Sequence, residues 1–110
     1  MMFMKIKGKS KDLKVITCNH FKSRLIGNIG KKKIKEVLLF PKCNSVHTFF
    51  MKQNIDIVML SKDNTVIANY QNVSPYKIIW PKKGVKNILE FPAFENIYSV
   101  GEKITLKKEE

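Results

Sequence analysis

Short runs of β-branched and aromatic residues, with turn-forming residues between them, recur along this chain at 13–18, 36–40, 46–51, 55–61, 65–70, 77–80, 87–91 and 103–106. Eight such runs at this spacing predict a mainly β (α+β) fold. Lys62-Asp63-Asn64 between two of them predicts a hairpin, because Asp and Asn tolerate the left-handed backbone that tight turns require. Pro41, Pro75, Pro81 and Pro92 fall at expected strand ends, where a missing amide proton does little harm. So many strands in 110 residues are best accommodated by a curled sheet or small barrel, either of which limits exposed sheet edges. One short helix is expected after Cys18, where Asn19 can cap and Phe21, Leu25 and Ile29 share a face before Gly27 and Gly30 limit its length. A second helical turn is expected over 94–99, closed by Gly101.

The length and the 44% hydrophobic content predict one compact domain over residues 1–110. Within it, the basic segment 1–12 is expected to be partly flexible and 107–110 to form a tail. Purely apolar runs such as Val37-Leu38-Leu39-Phe40 and Ile57-Val58-Met59-Leu60 are far shorter than the ~20 residues that cross a bilayer as a helix. The start, with Lys5 and Lys7, lacks the ~7–15-residue apolar core of a secretory signal, so a cytoplasmic location with reduced thiols at Cys18 and Cys43 is expected. The net charge of +12 is uneven: residues 1–35 hold eleven Lys/Arg against Asp12, while residues 36–110 hold ten Lys against eight Asp/Glu. The cluster Lys31, Lys32, Lys33 and Lys35 is therefore a candidate polyanion contact, for nucleic acid or an anionic surface. Arg24 is the sole arginine, which weighs against readout that depends on arginine's bidentate fork, and a solvated face is the competing reading.

The rarest chemistry lies inside the most strand-like segment, at Cys43, His47 and Asp56. A strand over 46–51 would put His47, Phe49 and Met51 on one face, making His47 a core histidine or a ligand. Asp56, between Ile55 and Ile57, is expected to be buried and held by backbone amides, Thr48, His47 or Arg24. Glu90, within Ile88-Leu89-Glu90-Phe91, poses the same demand. His47, Asp56 and Glu90 are thus weak catalytic candidates for acid–base chemistry, with buried structural anchors as the alternative. Arg24, Cys43, Asn44, His47, Thr48 and Met51 are candidate ligand-binding residues. Cys18, His20, Cys43 and His47 hold the inventory of a zinc site, but their spacing matches no common finger and no metal or other cofactor is expected. Trp80, Phe49, Phe50, Tyr70, Tyr76 and Phe91 could stack bases, yet in half-buried strands they read first as core.

Several of these segments carry a resemblance. Ser23-Arg24-Leu25-Ile26-Gly27, the stretch from Leu39 through Pro41-Lys42-Cys43-Asn44-Ser45-Val46-His47-Thr48-Phe49-Phe50-Met51, Ile55-Asp56-Ile57-Val58, Asp63 with Val66, Pro75, Leu89-Glu90-Phe91-Pro92-Ala93 and Gly101-Glu102 resemble the bacterial and archaeal domain of unknown function 192. The resemblance implies a compact β-rich fold with a short helix near Arg24, and it implies no reaction. Arg24, His47, Met51, Asp56 and Glu90 fall on motif positions of that family, whereas Cys18 and His20 do not. Phe94 stands where relatives usually have glycine, and Glu102 where they often have aspartate.

No nucleophile elbow, phosphate loop or paired metal motif is present, so the leading expectation is a non-enzymatic binding or accessory domain, serving a larger cell-envelope or secretion assembly through an exposed face. Polyanion binding through the basic amino-terminal third is the first alternative. A small-ligand or enzyme site around His47, Asp56 and Glu90 is the second.

Overall fold

The three runs with the least polar alternation, at 37–40, 55–60 and 88–91, become neighbours at the middle of one sheet. The computed structural model describes residues 3–6, 13–17, 37–49, 51–93 and 98–108. In chain order these form β1 (Phe3–Ile6), β2 (Leu13–Thr17), β3 (Val37–Pro41), β4 (Val46–His47), β5 (Ile55–Leu60), β6 (Val66–Val73), β7 (Ile78–Ile79), β8 (Asn87–Pro92) and β9 (Leu106–Lys108). Seven strands make one sheet in the order β6-β5-β8-β3-β2-β1-β9, and β4 pairs with β7 in a small second sheet. All six residues of β5 are buried. A strand covered on both faces has no solvent side to mark with polar residues, which is why alternation fails in these runs.

Register sorts the side chains into two apolar clusters, one on each face. One face carries Leu38, Phe40, Ile57, Met59 and Ile88, covered by Met51, Ile79 and Val85. The other carries Val37, Leu39, Val58, Leu60, Leu89 and Phe91, covered by Tyr98, Ile104 and Leu106. The small sheet of β4 and β7 thus lies over the first face, anchored by Ile79 and its register partner Val46.

The mainly β architecture matches the periodicity, with particular differences. The sheet is not closed, so the curled sheet is the form adopted and the small barrel is not: β6 and β9 are its two edges. They approach one another through residues 101–104, where an isolated bridge joins Thr65 to Lys103. The expected strand at 46–51 stops at His47, because the Thr48 carbonyl accepts both the Met51 N–H at 3.2 Å and the Tyr76 N–H at 3.1 Å and turns the chain. The run at 103–106 pairs later than expected, over Leu106–Lys108, and β1 is a strand the periodicity did not mark. The hairpin at Lys62-Asp63-Asn64 forms as read, with Ser61 N–H bonded to Thr65 O at 2.9 Å and Asn64 left-handed at φ 67°.

No helix occurs among the described residues. The helix expected after Cys18 falls on residues outside them, as do residues 94–97 of the second expected turn, while Tyr98 and Ser99 are not helical. The pairing of β2 with β3 is parallel, and the residues that connect them, 18–36, lie outside the described residues. No helix among the described residues is long and apolar enough to cross a membrane.

Candidate functional site

Asp56 and Glu90 are both buried, at 0% and 5% exposure, but they do not share a site. In the antiparallel pair β5–β8, Glu90 stands opposite Ile57 and Asp56 opposite Phe91. Opposed residues share a face and successive residues alternate, so the two carboxylates lie on opposite faces of the sheet. Their placement answers a structural need in the case of Asp56. Between Ile55 and Ile57 the register with β6 shifts, so that Gln71 and Asn72 together face Asp56, and Asn72 is left-handed at φ 53°. A bulge removes an amide from the ladder, and the Asp56 carboxylate accepts that Asn72 N–H at 2.8 Å.

His47 is exposed, which corrects the expectation of a core histidine. The cause is register in the small sheet: Val46 pairs with buried Ile79, so His47 and its partner Ile78 point outward. The acid–base set of His47, Asp56 and Glu90 is therefore divided among the small sheet's outer surface and the two faces of the large one. Thr48 is fully buried and structural, donating its hydroxyl to Ser74 O at 2.8 Å and accepting the Lys77 N–H at 2.8 Å. Neither His47 nor Thr48 therefore serves Asp56 in the way expected of them. Met51 belongs to the core under the small sheet, not to the face of His47. Arg24, Cys18, His20, Phe50 and the cluster Lys31, Lys32, Lys33 and Lys35 lie outside the described residues. Among the described residues no group of three or more His, Cys, Asp or Glu is placed to hold a metal ion.

Two arrangements have a chemistry that the structural anchors lack. The first is the outward face of β4 and β7. Tyr76 and Trp80, which were expected to be core, are each 70% exposed, and Ile78 is 44% exposed. The half-buried Phe49 ring lies 5.0 Å from His47 and 6.3 Å from Tyr76 between centroids, so it bridges those two exposed rings. Lys77, Lys82 and Lys83 are exposed beside them in the chain. Sequence reasoning named these aromatics but assigned them to the wrong side. The signal that could have found them is the pair Pro75 and Pro81 flanking the run Tyr76-Lys77-Ile78-Ile79-Trp80, since prolines confine a strand to a sheet edge, where side chains reach solvent.

The second is a cleft of about 680 Å³ lined by Lys42, Cys43, Asn44, Lys62, Val85, Lys86 and Asn87. It gathers three separate segments of the chain. Lys42, left-handed at φ 54°, donates its N–H to Asn87 Oδ1 at 3.3 Å, and Cys43 N–H bonds Lys86 O at 2.9 Å. The half-buried Cys43 thiol donates to Ser45 O at 3.1 Å. Of the expected ligand-binding residues, Cys43 and Asn44 line this cleft; Lys42, Lys62, Lys86 and Asn87 carried no local sequence signal, since only folding brings them together.

Known proteins of similar sequence and shape place the chain without assigning it a reaction. A UPF0127 protein of Thermococcus sibiricus is 31% identical over 98 residues, covering 84% of this chain and 63% of its own length. A UPF0127 protein of Thermococcus kodakarensis is 29% identical over 98 residues, with 84% and 62% covered. This chain thus spans a little under two thirds of the length of those relatives. Among solved structures, a Sinorhizobium meliloti protein provisionally described as a transcription regulator superposes with a TM-score of 0.78 at 17% identity, covering 96% of this chain and 92% of that one. A Novosphingobium aromaticivorans protein of unknown function does so at 0.72 and 16%, covering 97% and 83%. At such identities the structural likeness shows the fold alone. The family model described as "Uncharacterized ACR, COG1430" matches residues 2–97, and the chain belongs to that family, the domain of unknown function 192.

Proposed function

We propose that this chain is a non-enzymatic binding protein that holds single-stranded nucleic acid on the outward face of β4 and β7. The observation that carries the reading is the 70% exposure of both Tyr76 and Trp80, where Phe40, Phe91 and Tyr98 are buried and Phe49 and Tyr70 are half-buried. Leaving two large rings in water is unfavourable unless a partner covers them, and bases stack on such rings at about 1–3 kcal/mol each. Charge favours an anionic partner over a neutral one. Between residues 41 and 92 seven lysines are exposed, whereas Asp56 and Glu90 are buried and Asp63 is the one exposed carboxylate. Lysines without arginines suit phosphate contact more than base readout, so the binding is tolerant of sequence. Lys31, Lys32, Lys33 and Lys35 add further positive charge to the chain. By analogy only, the Sinorhizobium protein of this fold is provisionally described as a transcription regulator.

Fluorescence anisotropy with mixed-sequence single-stranded DNA and RNA across a salt series tests the reading. Binding is expected at low salt and should weaken as salt rises. Trp80→Ala and Tyr76→Ala should each weaken it by about 1–3 kcal/mol with little change in the salt slope. Replacing Lys31, Lys32 and Lys33 should flatten that slope by about 0.7 per lost contact. No binding at low salt, or full binding by both aromatic variants, would overturn the nucleic-acid reading. The exposed face would then belong to a protein contact, and a consistent gene neighbourhood beside pilus or secretion genes would point to an accessory role in such an assembly.

A further inference from the structure

The cleft between β3, the β5–β6 hairpin and the loop leading into β8 is independent of the aromatic face. Three lysines, Lys42, Lys62 and Lys86, line it, and no acidic residue does. The carboxylate next to it in sequence, Asp63, is not among its lining and is hydrogen-bonded to the Ser61 hydroxyl. Three like charges around one concavity repel one another, and an anion between them relieves that repulsion. The remaining lining is not purely cationic. Asn44 and Asn87 offer amides that both donate and accept, and the lining also includes buried Val85 and half-buried Cys43. Its volume of about 680 Å³ is also far larger than a bare phosphate needs, and falls within the roughly 300–1,000 Å³ of organic-ligand pockets.

We propose that the cleft lined by Lys42, Lys62 and Lys86 binds a small molecule carrying a phosphate group on an organic body. The lysines meet the phosphate oxygens, the two asparagines meet polar groups of the body, and Val85 packs against its apolar part. The site is anchored rather than adaptable, because the Lys86 N–H is bonded to Leu60 O at 2.8 Å and its carbonyl to Cys43 N at 2.9 Å, which fixes two walls to the central sheet.

Titration of the isotope-labelled full chain with adenosine monophosphate, inorganic phosphate and adenosine tests this by NMR. Adenosine monophosphate should shift the amides of Lys42, Cys43, Asn44, Lys86 and Asn87 in a saturable way, inorganic phosphate should do so more weakly, and adenosine should not. The double variant Lys62→Ala/Lys86→Ala should lose roughly tenfold or more in affinity, as charge-assisted hydrogen bonds to phosphate are removed. Lys52→Ala/Lys77→Ala removes the same charge at exposed residues that neither line the cleft nor adjoin its lining in the chain, and should leave affinity within about twofold at moderate salt, where attraction between separated exposed charges is screened. In a Cys18→Ser background, the nucleotide should also slow alkylation of Cys43. Equal losses in the two double variants, or shifts spread over lysines across the surface, would show diffuse attraction to a basic protein and overturn the proposal. Absence of saturable shifts with both phosphates would overturn it as well. Because oligonucleotide binding to the aromatic face is measured separately with Trp80→Ala, either reading can fail without the other.

Discussion

Asp56 occupies a fully buried position opposite a bulge, and its carboxylate holds the Asn72 N–H that the bulge releases. Asp56→Ala should therefore leave that donor without its acceptor and cost on the order of 1–3 kcal/mol in urea denaturation. Asp56→Asn keeps an acceptor oxygen of similar shape and should cost less. Asp63 is the contrasting carboxylate, exposed at the hairpin. Its pKa is lowered, first by the hydrogen bond with the Ser61 hydroxyl, then by that with the Thr65 side chain, with a further contribution from Lys103. A depressed carboxylate stabilises the folded state above the ordinary carboxylate range, and that contribution is lost as pH falls through the lowered value. The stability difference between wild type and Asp63→Asn should accordingly shrink on acidification, which denaturation at a series of pH values measures. That Asp56 needed a buried partner was legible from its apolar neighbours. That a backbone amide would serve it was legible too, but not which one, because Asn72 enters only through a register shift in another strand.

At the scale of elements, the small sheet of β4 and β7 has one anchored face and one open face. Ile79 is buried at 8% exposure beneath it, while Tyr76 and Trp80 stand in solvent. Ile79→Ala should cost about 2–5 kcal/mol, as other buried isoleucine truncations do. Tyr76→Ala and Trp80→Ala should stay within about 0.5 kcal/mol of wild type while weakening oligonucleotide binding. Thermal or chemical denaturation alongside anisotropy separates the two effects. Loss of stability on truncating Trp80 would make the ring a packing residue and remove the contact surface. The β-rich run at 77–80 was visible in the chain, but period two says only that Ile78 and Trp80 face apart from Ile79. Which set meets the core depends on the pairing of Val46 with Ile79.

For the whole molecule, the carboxy-terminal segment connects the two ends of the open sheet. Val66 N–H bonds Glu102 O at 2.8 Å and Ile104 N–H bonds Asn64 O at 2.9 Å, while β9 continues along β1. The radius of gyration of 12.6 Å is close to the roughly 13 Å expected for one compact unit of this length. Ile104, 1% exposed, packs into the second apolar cluster from this segment. Ile104→Ala should cost about 2–5 kcal/mol in urea denaturation. A smaller loss would mean that the segment lies on the sheet without helping to hold it curled.

From the residues alone, strand content, the β5–β6 hairpin and the burial of Asp56 and Glu90 could be derived, because each depends on local propensity, turn chemistry or the polarity of immediate neighbours. The resemblance carried by the segments around Cys43 and Asp56 likewise led to the family that matches residues 2–97. Tertiary structure alone decided that Asp56 and Glu90 face apart, that His47 points outward and that Lys42, Lys62 and Lys86 border one cleft. Those outcomes depend on strand register and on contacts between segments distant in the chain. A sequence pattern of period two is unchanged when a strand turns over, so only the packing of one sheet on another could choose between the two arrangements.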